Sequence, residues 1–393
     1  MKKLLLAAAC ACSVSACGKP PAPEPQTAPP LVSGIETQYF DDKVTPREDF
    51  YRYVNGKWLD NTDIPADENT WDANEELQVR VQQQLKALIE DLRTKPDAGD
   101  PDQRKIAGLY ASFMDEAALE RSGLKPLKSE LARIDAINSR SDIAAEMGHL
   151  ALIGVHTPLV PDLAVDTGNA TAYAAYLYPG GFGLPDRDYY IEADARLAHI
   201  RQAYAGYVQA LLTLSGDKAA VPDAAAVLKL ETSLARVLWT QAQYRDPVKT
   251  YNKVPVAKLG NLAPDFDWSG YLSAAGLAGK TDAVVVIQPD YVQAFNQALR
   301  RTPLPVWRAY FRTRLLGNYA PYLDRRFADA DFAFNGTVLT GTPTRQPRWQ
   351  RGVELVNQSI GEGLGRQYVT RYFPPASKAR IEGLVHSIAA AYA

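Results

Sequence analysis

The amino-acid sequence predicts a mainly α-helical protein, and three observations support this fold class. Apolar residues recur at three- and four-residue spacing along most of the chain, which is the pattern of amphipathic helices. Runs of β-branched or aromatic residues, typical of strands, are confined to two short segments. The 393 residues are 46% hydrophobic and 22% charged, and they show no repeat of fixed period. An ordinary globular protein is therefore expected, and a helical solenoid is disfavoured.

The charge balance argues against a nucleic-acid partner. The chain has 43 Lys and Arg against 45 Asp and Glu, which gives a net charge of −2. A protein of this kind has no basic excess with which to displace counterions from DNA or RNA.

The N-terminus has the pattern of a bacterial export signal. Lys2 and Lys3 precede a short apolar run, which falls well below the roughly 20 residues that span a bilayer. The sequence V-S-A-C at positions 14–17 resembles a lipobox, so residues 1–16 are predicted to be a signal peptide and Cys17 to carry the lipid. A plain signal peptide followed by an incidental cysteine is the alternative. All three cysteines lie at or before position 17, so the rest of the chain can form no disulfide.

Residues 17–38 are predicted to form the lipidated cysteine and a proline-rich tether. Six prolines between positions 18 and 30 favour a polyproline II spacer of about 3.1 Å per residue. A proline-rich docking ligand is the other interpretation. Gly18 follows Cys17 where some lipoproteins carry Asp, so we expect an anchor in the outer membrane, facing the periplasm.

Apolar stripes at helical spacing locate the principal helices. The stripes lie at Leu77–Leu92, Ile106–Phe113, Leu127–Ile137, Leu197–Leu211 and Val227–Leu238. Strands are predicted at Tyr173–Tyr178 and Ala283–Ile287. The glycines of Gly361–Gly365 fit no phosphate-binding fingerprint and are predicted to permit close packing of helices.

Searches for catalytic motifs return no complete site. The sequence contains no H-E-x-x-H, no G-x-S-x-G and no cysteine beyond position 17. The four histidines, each isolated from the others, are His149, His156, His199 and His386. An S-x-x-K match at Ser122–Lys125 has no companion motif. No catalytic residue and no metal ligand is therefore predicted in this chain.

Near the start of the globular body, a polar and aromatic cluster resembles the opening of the neprilysin and endothelin-converting-enzyme family of zinc metallopeptidases. That family begins its ectodomain with D-F-Y-x-Y-x-N-G-x-W-L-x(4)-I-P. The matching residues here are Asp49, Phe50, Tyr53, Asn55, Gly56, Trp58 and Pro65. From the residues alone we expect a helix that ends at Asn55-Gly56, where a left-handed cap is available.

Further segments resemble the same family in the same order, from about Tyr39 to the last residue. One resembles G-L-G-L-P-x-R-D-Y-Y. Another, which starts at Glu231, resembles E-x-x-L-A…R-D…Y-N-K, and a late stretch resembles W-x-x-x-V…L-G-x-x-Y-V…Y-F-P. The motif residues of the first two are Gly183, Pro185, Arg187, Asp188, Tyr189, Arg245 and Asp246. Each also has a structural explanation, such as an ion pair at a helix end or a solvated charge cluster. We expect these residues to be architectural and not to perform hydrolysis.

The resemblance implies two largely helical lobes around a central cavity, with the smaller lobe acting as a lid that admits only short peptides. Residues 39–100 would contribute to the catalytic lobe, 101–375 would form the helical lid lobe, and 376–393 would begin the return to the catalytic lobe. Family members bind zinc through H-E-x-x-H and a downstream Glu. Zinc is thus implied for the complete enzyme, and this chain alone is expected to bind none.

Two functional hypotheses follow from the resemblance. In the first, the chain is the N-terminal, substrate-restricting portion of a membrane-anchored zinc metalloendopeptidase whose C-terminal catalytic half is missing; peptides would be its substrates. In the second, it is a non-catalytic lipoprotein that uses the lid lobe as a peptide-binding or scaffold module. Thr70 and Gln78 occupy positions where neprilysin has arginines that grip a peptide carboxylate. Under the first hypothesis, the helix from Glu75 to Leu92 is expected to expose its apolar stripe.

Overall fold

The structure is a computed structural model that describes residues 34–94 and 100–392. The predicted signal peptide, Cys17 and most of the predicted tether lie outside these residues. The described chain forms two compact units that divide between Asp63 and Ile64. Within the described ranges, no helix combines the length and the apolarity needed to cross a bilayer.

Among its described residues, 34–63, the first unit contains one α-helix, α1 (Phe50–Asn61), preceded by a 3-10 turn at Thr37–Tyr39. The predicted helix end at Asn55-Gly56 is wrong, because α1 continues to Asn61. Gly56 is buried, and a Cβ atom added there would lie 2.4 Å from the Cβ of Asp41. The glycine is therefore required by a close approach of the chain and not by a left-handed cap.

The second unit is mostly helical, which confirms the predicted fold class. Its helices are α2 (Ala73–Arg93), α3 (Pro101–Met114), α4 (Glu116–Ser122), α5 (Lys128–Asp135), α6 (Arg140–Leu152), α7 (Arg187–Ile191), α8 (Ala195–Leu214), α9 (Ala220–Ala235), α10 (Gln241–Tyr244), α11 (Trp268–Ala274), α12 (Pro289–Arg301), α13 (Leu304–Tyr319), α14 (Arg325–Asp331), α15 (Arg348–Tyr372) and α16 (Pro375–Tyr392). A π-helix spans Phe332–Thr340. Each of the five apolar stripes lies wholly or largely on one of these helices.

A four-stranded sheet lies among the helices. Its strands are β1 (Leu159–Asp166), β2 (Asn169–Pro179), β3 (Lys253–Pro255) and β4 (Ala283–Val286), in the order β1-β2-β4-β3. The pair β2 and β4 is parallel, and both outer pairs are antiparallel. The two predicted strands are confirmed as β2 and β4. Strand β1 escaped prediction because its exposed and buried positions do not alternate, and β3 because it has three residues.

The main hydrophobic core of the second unit fills the space between α6, α8, α9, α11, α12 and α13. Large aromatic side chains dominate it, and Phe295, Trp307 and Tyr310 are fully buried. Their rings meet edge to face, with centroids 6.0 Å apart for Phe295 and Trp307 and 5.8 Å apart for Trp307 and Tyr310.

A second core joins α2, α3 and α15. Four residues of the α2 stripe are buried in it, namely Leu85, Leu88, Ile89 and Leu92. The expectation that the helix from Glu75 to Leu92 exposes its stripe is therefore wrong, although Leu77 at its start is 50% exposed. The physical reason is that α15, distant in sequence, covers this face within the same unit.

Glycines let α15 approach α3 closely. A Cβ added to Gly363 would lie 3.3 Å from the Cβ of Asp102, so one glycine of the predicted Gly361–Gly365 packing stretch does face another helix. The tighter approach is at Gly352, where an added Cβ would lie 2.9 Å from the ring of Tyr110. At Gly365 the space is open.

This contrast predicts opposite effects for two substitutions in one helix. Gly352→Ala should lower the free energy of unfolding by about 1–3 kcal/mol, because the new methyl group overpacks a buried ring. Gly365→Ala should raise it by up to about 1 kcal/mol, because alanine is the better helix former. Equilibrium urea denaturation measures both values. Equal changes in the two variants would contradict the close packing at Gly352.

Candidate functional site

A fully buried carboxylate, Glu231 of α9, accepts hydrogen bonds from three sides. The hydroxyl of Tyr190 donates to its Oε2 over 2.7 Å, and the hydroxyl of Tyr204 donates to its Oε1 over 3.0 Å. The N–H of Gly183 donates to Oε2 over 3.3 Å. The guanidinium of Arg314 lies 3.9 Å from Oε1 and supplies the opposite charge. These five residues are called the Glu231 hub below.

Burial is the main cause of the pKa shifts of Glu231, Tyr190 and Tyr204 in the hub. It raises the pKa of Glu231 above its ordinary value, while Arg314 and the tyrosine hydroxyls oppose that change. Burial, followed by the charge of Glu231, raises the pKa of both Tyr190 and Tyr204 well above the ordinary value. Both tyrosines therefore keep their protons and act as donors to the carboxylate.

The hub fixes the turn that leads from β2 into α7. The hydroxyl of Tyr190 accepts hydrogen bonds from two successive N–H groups of this turn, the first of them Gly183 at 3.0 Å. Gly181 has a φ of 72°, and its carbonyl accepts a hydrogen bond of 2.6 Å from the hydroxyl of Tyr310. A Cβ at Gly183 would lie 2.0 Å from the hydroxyl of Tyr204. Glycine at both positions is thus dictated by backbone conformation or by contact.

Next to this turn lies a cleft of about 230 Å³, here called the Arg187 cleft. It is lined by four aromatic and three charged side chains, among other residues: Tyr178, Phe182, Trp239, Tyr244, Asp186, Arg187 and Asp188. The Nε of Arg187 lies 3.9 Å from Asp188. This buried nitrogen donates no hydrogen bond to any described residue. The cleft therefore combines aromatic faces with a guanidinium that has donor capacity left.

The buried side chain of Gln288 holds the aromatic wall of the Arg187 cleft. Its Oε1 accepts hydrogen bonds from the hydroxyl of Tyr244 and from the N–H of Trp239. The indole N–H of Trp239 donates to Asp290 over 3.1 Å, and the ammonium of Lys249 lies 4.1 Å from the centroid of the Trp239 ring. Burial raises the pKa of Tyr244 to about 12, so its hydroxyl remains a donor. A wall fixed in this way is preorganised for binding.

A second polar network clamps the end of the sheet. The carboxylate of Asp166, at the end of β1, accepts hydrogen bonds from the ammonium of Lys253 at 2.6 Å and from the hydroxyl of Tyr251 at 2.8 Å. The N–H of Gly168 adds a third bond of 2.9 Å. Led by the bond from Lys253, these donors lower the pKa of Asp166 to about 2. The clamp attaches the Y-N-K segment to the β1–β2 hairpin.

All opening-motif residues except Pro65 belong to the first unit, where they form or cap α1 or lie on it. The carboxylate of Asp49 caps the helix by accepting a hydrogen bond of 2.8 Å from the N–H of Arg52. The ring of Tyr53 packs against Phe40 with centroids 5.1 Å apart. Three further motif residues are Phe50, which is exposed, Asn55, which bonds within the helix, and Trp58, which is half-buried.

The later motif residues lie in the second unit. Pro65 is half-buried near its start, and Gly183 is part of the hub. The carbonyl of Tyr189 accepts a hydrogen bond from Arg201, while Pro185, Arg187 and Asp188 line the cleft.

Arg245 and Asp246 follow α10 directly. Arg245 is exposed, and the carboxylate of Asp246 accepts hydrogen bonds from the N–H groups of Val248 and Lys249 at 2.9 and 3.1 Å. Asp246 therefore shapes a turn.

The hub was not predicted from the sequence, although Glu231 begins the E-x-x-L-A…R-D…Y-N-K resemblance and its position carries a further sign. Glu231 lies four residues after Val227, so it falls on the apolar face of the predicted helix. A carboxylate on such a face requires partners. Which tyrosines and which arginine supply them could not be deduced from spacing.

The described residues hold no donor set that fits zinc. Within residues 34–94 and 100–392, no three His, Cys, Asp or Glu side chains are grouped so that they could hold a metal ion. His149 pairs with a single carboxylate, its Nε2 lying 2.6 Å from Glu130.

The fold and the sequence match proteins of one peptidase class. The profile of peptidase family M13, covering its N-terminal domain, matches residues 46–393. Human endothelin-converting enzyme 1 is 26% identical over 367 residues, which are 90% of this chain and 47% of that enzyme. The zinc metalloprotease Zmp1 of Mycobacterium tuberculosis, solved with an inhibitor, superimposes with a TM-score of 0.86 at 34% identity and covers 92% of this chain and 55% of its own. PepO of Lactobacillus rhamnosis has the same fold, with a TM-score of 0.76 at 21% identity over 89% of this chain and 55% of its own.

The chain therefore belongs to peptidase family M13, and the resemblance to neprilysin and endothelin-converting enzyme is confirmed. It spans about half the length of the curated relatives that it matches.

The hub predicts that removing the hydroxyl of Tyr190 lowers the free energy of unfolding much more than removing the hydroxyl of Tyr189. Tyr190→Phe removes the donor to Glu231 and the acceptor for two N–H groups, so the free energy of unfolding should fall by about 1–3 kcal/mol. Tyr189→Phe, whose hydroxyl takes no part in the hub, should change it by less than about 0.5 kcal/mol. Urea denaturation at pH 7 compares the two variants. Similar small losses in both would show that the hub contributes little.

The Asp166 clamp predicts a dependence of stability on acid. Because folding lowers the pKa of Asp166 to about 2, its stabilisation is complete above the ordinary carboxylate pKa of about 4 and disappears as the pH falls towards 2. Asp166→Asn should be less stable than wild type at pH 7, and the difference should narrow below about pH 4. Asp162→Asn, in the same strand, is the control. Denaturant titrations at several pH values test this, and a difference that does not change with pH would contradict it.

Proposed function

We propose that this chain is the N-terminal, substrate-restricting portion of a membrane-anchored zinc metalloendopeptidase that acts on short peptides. Membership of peptidase family M13 supports the peptidase assignment. The relatives are about twice as long as the matched region, and the 393 residues contain no H-E-x-x-H. We therefore assign the zinc ligands and the general base to a C-terminal half that is not part of this chain.

The observation that carries the proposal is an uncovered apolar face on α16. None of its described residues is buried. Ile381, Leu384, Val385 and Ile388 recur at helical spacing on one side, and each is between 50 and 59% exposed. An amphipathic helix is stabilised by covering such a face, and a contiguous apolar patch marks an interaction surface. In the proposal, the catalytic half packs here.

The proposed role of this chain in the reaction is to bind the peptide substrate and to enclose it. Zinc, held by the other half, would polarise the peptide carbonyl and activate the attacking water. The Glu231 hub and the Asp166 clamp keep the lid lobe rigid, so that it restricts access by shape. Thr70 and Gln78 carry no positive charge to grip a peptide carboxylate, which favours endopeptidase action. The N-terminal pattern supports a lipid on Cys17 and a periplasmic position at the outer membrane.

A fusion protein tests whether the zinc site and the cleavage activity require a C-terminal half in addition to this chain. Residues 46–393 would be joined to the C-terminal remainder of Zmp1 from Mycobacterium tuberculosis, 55% of which superimposes on this chain. We expect stoichiometric zinc and chelator-sensitive cleavage of a fluorogenic peptide by the fusion, and neither by the chain alone. The fusion carrying Leu384→Glu and Val385→Glu should lose cleavage, because the charges prevent α16 from being covered. Ala379→Glu, at an exposed position on the opposite side of the same helix, is the matched control.

Two results would contradict the proposal. Chelator-sensitive cleavage by the chain alone would place the zinc site within it. A fusion that folds and binds zinc but cleaves no peptide would favour the non-catalytic lipoprotein instead.

A further inference from the structure

A second cleft, of about 330 Å³, lies between α4, α14 and the start of α15. It contains none of the family-motif residues discussed above. Its charged lining residues are Arg325, Arg345, Arg348, Arg351, Glu116, Glu120 and Asp329. Four arginines against three carboxylates leave a formal charge of 4 − 3 = +1 in the cleft.

Two of the arginines are held by carboxylates. Arg345 lies 3.0 Å from Asp329, and Arg348 lies 3.3 Å from Glu116. Arg348 also donates to the carbonyl of Phe113. These bonds fix both guanidinium groups at the edge of the cleft and use part of their donor capacity.

The third carboxylate of the cleft, Glu120, binds a backbone N–H group and no arginine side chain among the described residues. Glu120 accepts a hydrogen bond of 2.7 Å from the backbone N–H of Arg325, at the start of α14. Its charge is therefore directed mainly at a helix N-terminus.

Arg325 is exposed, whereas Arg351 is partly buried and has unused donors. Its Nε donates to the carbonyl of Gln346 over 3.2 Å, and its guanidinium lies 5.8 Å from the centroid of the Phe113 ring. No carboxylate of the described chain comes within salt-bridge distance of it, and its two terminal nitrogens have no hydrogen-bond partner there. The side chain is held in place while its terminal donors remain available.

The arginines also repel one another. Burial lowers the pKa of Arg351, and the charges of Arg345 and Arg348 lower it further, while those of Glu116 and Asp329 oppose the change. Burial lowers the pKa of Arg348 as well, with Arg345 adding to the effect and Glu116 opposing it. Repulsion between like charges in a partly buried cleft is reduced when an anion binds there.

We propose that this cleft binds an oxyanion, the phosphate or carboxylate group of a small ligand, with Arg351 as its principal contact. A guanidinium with two free N–H donors on adjacent nitrogens matches two oxygens of such a group in a forked arrangement. Arg325 and Arg348 line the same cleft and add positive charge. This site is separate from the Arg187 cleft. The proposed oxyanion binding does not depend on the peptidase proposal.

Isothermal titration calorimetry on the full chain tests the site with inorganic phosphate and with succinate, each at ionic strength matched by sodium chloride. We expect saturable 1:1 binding of at least one of them. Arg351→Gln should weaken that binding at least tenfold. Arg366→Gln, a charge removal in the same helix away from the cleft, should leave it unchanged.

A gain-of-function variant separates a lost site from a misfolded protein. Glu116→Gln releases Arg348 and raises the charge of the cleft by one, so binding should tighten several-fold. Competition by a peptide with a free C-terminal carboxylate, but not by its amide, would identify a peptide end as the source of the oxyanion. Competition by neither would identify a phosphate or small carboxylate ligand.

The inference is overturned if neither anion binds saturably at matched ionic strength. It is equally overturned if the measured affinity is the same in wild type, Arg351→Gln and Glu116→Gln, since binding would then be adventitious.

Discussion

The buried charge of Glu231 is the constraint on which the second unit depends. An isolated carboxylate in a protein interior is strongly unfavourable, so its partners must arrive with it. Those partners come from the turn before α7 and from α7, α8 and α13, and the hub therefore ties these elements to α9. Removing one partner of a buried ion pair such as Arg314 and Glu231 commonly lowers the free energy of unfolding by about 3–5 kcal/mol. The hub leaves no room for a side chain at Gly183, where an added Cβ atom would lie 2.0 Å from the hydroxyl of Tyr204.

Hydrogen bonds of the same kind involve several residues of the segments that resemble the family. Tyr190 bonds the hub, Asp246 shapes a turn, and Tyr251 with Lys253 clamps the sheet through Asp166. Each satisfies a polar group that would otherwise be left unpaired.

Local spacing allowed much of the fold to be predicted, and tertiary contacts account for the failures. The helix stripes were found because the apolar face of each helix repeats every three or four residues. The end of α1 was misplaced because the contact of Gly56 with Asp41 is not visible in the motif. Burial of the α2 stripe was missed because α15, which covers it, comes more than two hundred residues later. Glu231 could have been flagged from its place on an apolar face.

The sequence by itself determined the mainly α fold class, the positions of the long helices and the resemblance to the neprilysin family. These properties depend on residue order and short-range periodicity, which any single chain displays. Only the tertiary structure decided that Arg314 lies beside Glu231 and that Arg351 forms no salt bridge with a carboxylate among the described residues. Charge pairing depends on which surfaces meet in three dimensions, and electrostatic energy at these distances varies steeply with position and burial.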